Sequence, residues 1–239
     1  MQNSVKYKRV LIKISGEGFG GENGRGIETG QFGKIAKEIQ QVSDTGVELA
    51  IVVGGGNIIR GARLGATGKS RVQADQAGMI ATVINALILQ DILEEFGLKV
   101  RVISAVDVKD ITEPFVLRTC LRYLTEKNII IFAGGTGNPY FTTDTAAVLR
   151  AIEISADVMM KATRVDGVYT DDPVKNPSAR LYERLTYLDV LSKQLGVMDL
   201  TAISLSMENK LPIIVFNMNR PENMRKAIMG ESAGTYIGE

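Results

Sequence analysis

The stretch that most restricts this chain is Ile129-Ile130-Ile131-Phe132-Ala133, which stops at Gly134-Gly135. A short, unbroken apolar run rich in β-branched residues reads as a strand buried on both faces. After Gly-Gly come Thr136-Gly137-Asn138-Pro139-Tyr140-Phe141-Thr142, and a helical pattern opens at Thr143-Asp144. Thr and Asp are ordinary N-cap residues, so capping accounts for those two. It does not account for Gly-Gly-Thr-Gly-Asn-Pro before them. Glycines let backbone N–H groups approach a ligand, and the start of a helix favours negative charge. The segment is therefore expected to bind an anion or a nucleotide.

The rest of the chain repeats this alternation. Strands are expected over residues 9–15, 47–53, 100–104, 158–162 and 212–217, with residues 235–237 closing an edge. Between them, Phe32, Ile35, Ile39 and Val42 share one helical face ending at Gly46, and residues 72–96 form a long helix stopped by Gly97. Further helices are expected over 114–124 with Pro114 in the first turn, over 145–154, from 198 onward and over 221–229. Strict strand–helix alternation predicts a three-layer α/β/α sandwich around a mainly parallel sheet. All 239 residues fit one domain, with no linker or repeat dividing it.

Several residues stand out against this frame. Lys13 interrupts the apolar strand Leu11-Ile12-Lys13-Ile14, and Lys161 ends the run Val158-Met159-Met160. A lysine stem can be buried at an edge while its ammonium reaches water. A cation at the carboxyl end of a strand also lies where open α/β sheets bind ligands. Gly54-Gly55-Gly56 closes a second apolar strand, followed by Arg60, a suitable phosphate partner. Asp75, early in the long helix, either complements the helix dipole or faces that glycine loop. The long helix is apolar nearly all round from 79 to 89, which suggests a second buried face against another subunit. The polar, turn-rich segment 171–177 is either an exposed loop or a lid.

Two motifs fail on context. Gly16-Glu17-Gly18-Phe19-Gly20-Gly21 satisfies G-x-G-x-x-G, but no helix opens at its third glycine and the next strand ends in Gly54 instead of an acid. Gly65-Ala66-Thr67-Gly68-Lys69-Ser70 has Arg63 where a Walker loop needs glycine.

Composition narrows the chemistry. With no histidine, imidazole bases, His-ligated metals and Ser-His triads are excluded. Phosphoryl transfer needs mainly positioning and charge stabilisation, which Lys, Arg, Asp and backbone can supply. A net charge of +1 gives no bulk footprint for nucleic acid. A single cysteine, Cys120, fits a core position in a reducing cytosol. No signal-peptide pattern opens the sequence, and the apolar run 79–89 is too short to span a bilayer. The expectation is a soluble cytoplasmic protein.

Taken together, Lys13-Ile14-Ser15-Gly16-Glu17, Gly54-Gly55-Gly56-Asn57-Ile58-Ile59-Arg60-Gly61, Thr136 to Ala147 and Lys161 to Tyr169 resemble the bacterial uridylate (UMP) kinases of the amino acid kinase family. The resemblance covers nearly the whole chain, and Gly-Thr-Gly-Asn-Pro-Tyr-Phe-Thr-Thr-Asp is its most specific mark. It implies phosphoryl transfer from MgATP to UMP in pyrimidine nucleotide synthesis. Carried over, Lys13, Ile14, Ser15, Gly16, Gly56 and Arg60 serve ATP and the transferring group, while Thr163, Tyr169 and Asp172 form the adenine-nucleotide pocket. Gly55, Asp75 and Thr136, Gly137, Asn138, Pro139, Tyr140, Phe141, Thr142 and Thr143 serve UMP, with Asp75 accepting from the ribose hydroxyls.

Lys13, Lys161 and Arg60 can offset the charge on the transferring group and Asp144 can organise the lysines or the metal, whose direct ligands are left open, so these four are the expected catalytic set for the reaction implied by the resemblance. The resemblance implies an acceptor half over about 1–150 and a donor half over 151–239. It also implies a homohexamer built from dimers, UTP inhibition, and GTP activation linked to Gly21, Glu22, Asn23, Gly24, Arg25 and Gly26. Three other classes stay in view: a kinase of acidic metabolites on the same fold, a nicotinamide oxidoreductase, and a non-catalytic nucleotide sensor.

Overall fold

The computed structural model describes residues 5–59 and 70–239. Its centre is β1 (Arg9–Ile14), flanked by β2 (Glu48–Val53) on one side and β6 (Val158–Thr163) on the other. Beyond β2 lie β5 (Ile129–Ala133), β3 (Val100–Ser104) and the two-residue β4 (Glu113–Pro114). Beyond β6 lie β10 (Ile213–Asn217), β11 (Gly234–Gly238) and β9 (Arg184–Thr186). All pairings in this nine-stranded sheet are parallel except β10 with β11. A separate antiparallel hairpin joins β7 (Val168–Tyr169) to β8 (Leu181–Tyr182).

Period-2 alternation sorts the apolar residues into two cores. Val10, Ile12 and Ile14 with Leu49, Ile51 and Val53 pack under α1 (Thr29–Ser43) and α2 (Arg71–Glu95). The helix α7 (Asn223–Met229) covers the same face through Met224, Ala227 and Ile228. Leu11, Ala50, Val52 and Met159 face the other core, beneath α3 (Leu117–Thr125) and α4 (Thr143–Glu153). Completing that layer are α5 (Tyr187–Ser192) and α6 (Leu200–Glu208). The three-layer architecture expected from the sequence is present, and one continuous sheet runs through both halves.

Several local expectations are corrected. The strand that organises the sheet is β1; β5 lies two places away, beyond β2. Pro114 is in a strand paired with Ser104, and the following helix begins only at Leu117. Pro114 has no N–H to donate, so an outermost strand suits it. The residues around 235–237 do not close the edge: β11 sits between β10 and β9. By length and composition α2 could cross a bilayer, more than the apolar run 79–89 suggested. Here its inner residues, including Val83, Ala86, Leu89 and Leu93, are packed in the core. Its outer residues Ile80 and Ile84 are 47% and 39% exposed.

Gly33 lies inside α1, and a Cβ there would meet nothing within 4 Å. Alanine at this helix-interior position is expected to stabilise the protein by about 0.5–1 kcal/mol. Thermal melting of Gly33→Ala should show a rise of about 1–4 °C. A fall would show that the position is not open.

Candidate active site

The same alternation that builds the cores selects a face for each lysine. Leu11 and Lys13 lie on the α4 side of β1, and Met159 and Lys161 on the α4 side of β6. Register makes Lys13 and Lys161 direct neighbours across two parallel strands, near their carboxyl ends. Two buried like charges at this spacing require a counter-charge. Asp144 provides it from the first turn of α4. Lys13 Nζ lies 2.8 Å from Asp144 Oδ1, and Lys161 Nζ lies 2.6 Å from Oδ2. Lys161 also donates to the carbonyl of Val197 at 2.5 Å.

Burial and charge oppose each other in this triad. Burial alone would raise the Asp144 pKa, but Lys13 and Lys161 together hold it below the usual carboxylate range. Burial is also the main influence on Lys161 and pulls its pKa below 10.5; Asp144 opposes this, and Lys13 adds to it. A lysine with a lowered folded pKa loses its proton at a lower pH than a free one. A rate that needs the Lys161 ammonium is expected to fall on the alkaline side before pH 10.5. Lys161→Arg stays charged, so its residual activity should lack that limb. A pH–kcat profile of both proteins checks this, and an identical limb in the variant would assign it to another group.

Asp144 is placed by its cap. Thr142, not Thr143, is the N-cap of α4, and its hydroxyl accepts from the Asp144 N–H at 3.0 Å. Thr142 in turn donates to Asp199. Thr145 donates to the other Asp199 oxygen at 2.8 Å, and Asp199 caps α6 by accepting from Ala202 N. One carboxylate thus ties the loop before α4, the first turn of α4 and the start of α6. Val197, the acceptor for Lys161, is two residues upstream. The cap of a helix near 198–202 was readable from Asp199 in sequence; its hold on Thr142 and Thr145 depends on tertiary structure.

Two cavities reach the neighbours of the triad, one at Thr142 and Thr143 beside Asp144 and the other at Val197, the acceptor of Lys161. One, of about 460 Å³, is lined by Gly55, Gly56, Arg71, Asp75, Thr82 and Thr136, with Phe141, Thr142 and Thr143 at its α4 end. Gly134 closes the strand with φ +78°, and its N–H donates to Thr82 Oγ1 at 2.7 Å. A Cβ on Gly134 would sit 2.9 Å from Val106 N, so glycine is required there. Gly137, Asn138, Pro139 and Tyr140 form the outer turn of this loop and are not among the lining residues. Tyr140 has φ 72° and an exposed ring, and its N–H donates to Asp75 at 2.9 Å. Asp75 lies beyond the first turn of α2 and faces the glycine loop, so the dipole reading gives way.

The other cavity, of about 510 Å³, is lined by Thr163, Val165, Val168, Tyr169, Asp172 and Val197 among others. The structure therefore brings Thr163, Tyr169 and Asp172 together. Thr163 Oγ1 donates to Val165 O at 2.6 Å.

Between the cavities the ends of β1 and β2 are in direct backbone contact. Gly54 N donates to Ile14 O at 2.9 Å. A Cβ on Gly16 would lie 2.5 Å from Gly56 N, leaving no room for any other residue. Ile14 buries its side chain in the core under α1, and its carbonyl is taken by Gly54 N, so the structure offers no Ile14 group to a ligand. The segment 21–26 is anchored to the glycine triplet by Asn57, which donates from Nδ2 to Gly26 O at 2.8 Å. Arg25 and Glu22 are exposed. Arg60 lies outside the described residues.

A strand-end lysine pair, an organising aspartate and two glycine-walled cavities at the carboxyl edge of a parallel sheet define a phosphoryl-transfer type of site. In agreement, residues 8–217 match the model of the amino acid kinase family, and the chain belongs to that family. Among solved structures it is similar to the UMP kinase from Bacillus anthracis, with 40% identity over 97% of this chain and 96% of that chain, and a TM-score of 0.93. The UMP kinase from Ureaplasma parvum is 33% identical over 98% of this chain and 100% of that chain, with a TM-score of 0.91. The uridylate kinase from Archaeoglobus fulgidus is 30% identical over 96% and 99% of the two chains, with a TM-score of 0.72.

Proposed function

We propose that the protein is a UMP kinase, transferring the γ-phosphoryl group of MgATP to UMP in pyrimidine nucleotide synthesis. The observation that carries this reading is the Lys13–Asp144–Lys161 triad between a glycine-walled cavity containing Asp75 and a second cavity containing Thr163, Tyr169 and Asp172. The first cavity takes UMP and the second takes the adenine end of ATP, which divides the chain functionally near residue 150. Backbone N–H groups around Gly16, Gly55 and Gly56 meet the phosphates. Ser15 lies beside them, and Arg60 belongs to the same phosphate set. Lys13 and Lys161 offset the charge that spreads over the transferring group. A UMP phosphate oxygen is already an anion near neutral pH, so no general base is needed.

Magnesium enters with ATP. Among the described residues no cluster of three acidic, Cys or His side chains could hold it. Both Asp144 oxygens face lysines. The described residues do not form a metal site of their own, and the ion is read as part of the nucleotide substrate, held by phosphate oxygens and water.

The reading extends to a cytoplasmic homohexamer built from dimers, in which the exposed Ile80 and Ile84 of α2 meet their counterparts across a two-fold axis. It includes UTP inhibition and GTP activation, the latter through Gly21 to Gly26. The test is ADP release measured with each nucleoside monophosphate and with aspartate, glutamate and carbamate as acceptors. UMP should be preferred. Preference for an acidic metabolite, or no turnover with any acceptor, would overturn the proposal.

A further inference from the structure

We infer that Arg71 limits how strongly the acceptor cavity discriminates between ribose and deoxyribose, because it pairs with the same two Asp75 oxygens that the ribose hydroxyls would take. This inference rests on the reading that UMP binds in that cavity with its ribose against Asp75.

Arg71 Nε lies 2.9 Å from Asp75 Oδ1 and 2.8 Å from Oδ2. A donor shared between both oxygens occupies the direction from which a vicinal diol would approach, since two adjacent hydroxyls pair with a carboxylate through the same two atoms. Tyr140 N–H adds a bond to Oδ2 from the loop. The Asp75 side chain is only 12% exposed, against 42% for Arg71. Access to the carboxylate is narrow, and the guanidinium is the part free to leave. Arg71 and Asp75 line the same cavity as Gly55, Gly56 and Thr136. The guanidinium carbon also lies 5.7 Å from the centre of the Tyr140 ring.

A ribonucleotide replaces Arg71 with two hydroxyl donors, so Asp75 stays satisfied throughout. A deoxynucleotide brings one donor fewer. Arg71 then swings back and pairs with the carboxylate, relieving part of the penalty for the missing hydroxyl. Without Arg71, that penalty falls in full on the deoxy substrate.

The experiment measures kcat/KM for UMP and for dUMP on the wild-type protein, Arg71→Met and Asp75→Ala. Methionine keeps an apolar stem over Tyr140. A ratio of two substrates on one preparation cancels the folded fraction. Arg71→Met should raise the UMP/dUMP ratio about three- to tenfold, the scale expected for a partly exposed charged hydrogen bond. Asp75→Ala should lower it. A raised ratio in the first variant with a lowered one in the second supports the inference. An unchanged or lowered ratio in Arg71→Met overturns it while the ribose reading stands, because Arg71 then acts on both substrates equally or binds the ribose itself. An unchanged ratio in Asp75→Ala removes the ribose reading and this inference with it.

Discussion

Replacing Asp144 with asparagine is expected to lower kcat by about two or more decades while KM for UMP changes little. The carboxamide keeps the shape of the side chain but not its charge. Lys13 and Lys161 are register partners with side chains 8% and 14% exposed, so they would face each other without a counter-charge. One of them then gives up its proton, and the site loses a cation together with its geometry. KM is spared because the acceptor cavity is lined by other residues, among them Gly55, Asp75 and Thr136. Leaving buried charge uncompensated should also destabilise the fold, by about 3 kcal/mol at neutral pH.

The pH dependence of that difference has a definite sign. Asp144 has a folded pKa below 3.8, so its stabilising contribution is complete above the unfolded value and is lost as pH falls through the folded one. Denaturant unfolding of both proteins should therefore show the gap narrowing below pH 3.8. A folded Asp144→Asn variant with near-normal kcat would remove this residue from the catalytic set.

The second large effect concerns the acceptor sugar. A carboxylate that is closed into a cavity by its substrate suffers desolvation unless donors replace the lost water. If the ribose hydroxyls are those donors, dUMP leaves part of the loss uncompensated, at about 2–4 kcal/mol, or two to three decades in kcat/KM. Asp75→Ala should weaken the use of UMP and at the same time shrink the gap between UMP and dUMP, because the group that penalises the deoxy sugar is gone. A purely structural Asp75, held by Arg71 and the Tyr140 N–H, predicts lower stability with an unchanged gap. Kinetics with both nucleotides on both proteins separate these outcomes.

Much of the site was legible in sequence because it depends on local chemistry repeated along the chain. Lys13 and Lys161 are conspicuous as charges in apolar strands, and strand periodicity places both on one face. Glycines mark where backbones meet each other: Gly16 against Gly56, and Gly134 against Val106. Neighbour relations were not legible. Periodicity shows that 129–133 is a strand but not that β1 occupies the centre, since strand order follows from long-range pairing. The short pieces β7, β8, β9 and α5 carry too few residues for a periodic signal, and β4 replaced a helical turn because Pro114 suits either context. Asp199 escaped notice as a site residue for a similar reason. Its cap is local, but its grip on Thr142 and Thr145 spans more than fifty positions of chain.

The placement of β11 has a consequence for how the protein is made. Among the described residues, β10 meets its antiparallel neighbour, and β9 its one partner in the sheet, through residues 234–238. Thr235, fully buried, accepts from Val168 N and donates to Tyr182 O, so it also pins the β7–β8 hairpin that walls the second cavity. A ribosome releases the chain in order, so β1, β2, β3 and β5 emerge and pair first. The β7–β8 wall of the second cavity waits for residues 234–238, which are synthesised a few seconds after β9, at about 5–20 residues per second. Until β11 is in place, β10 is an open edge, which can template pairing with another chain.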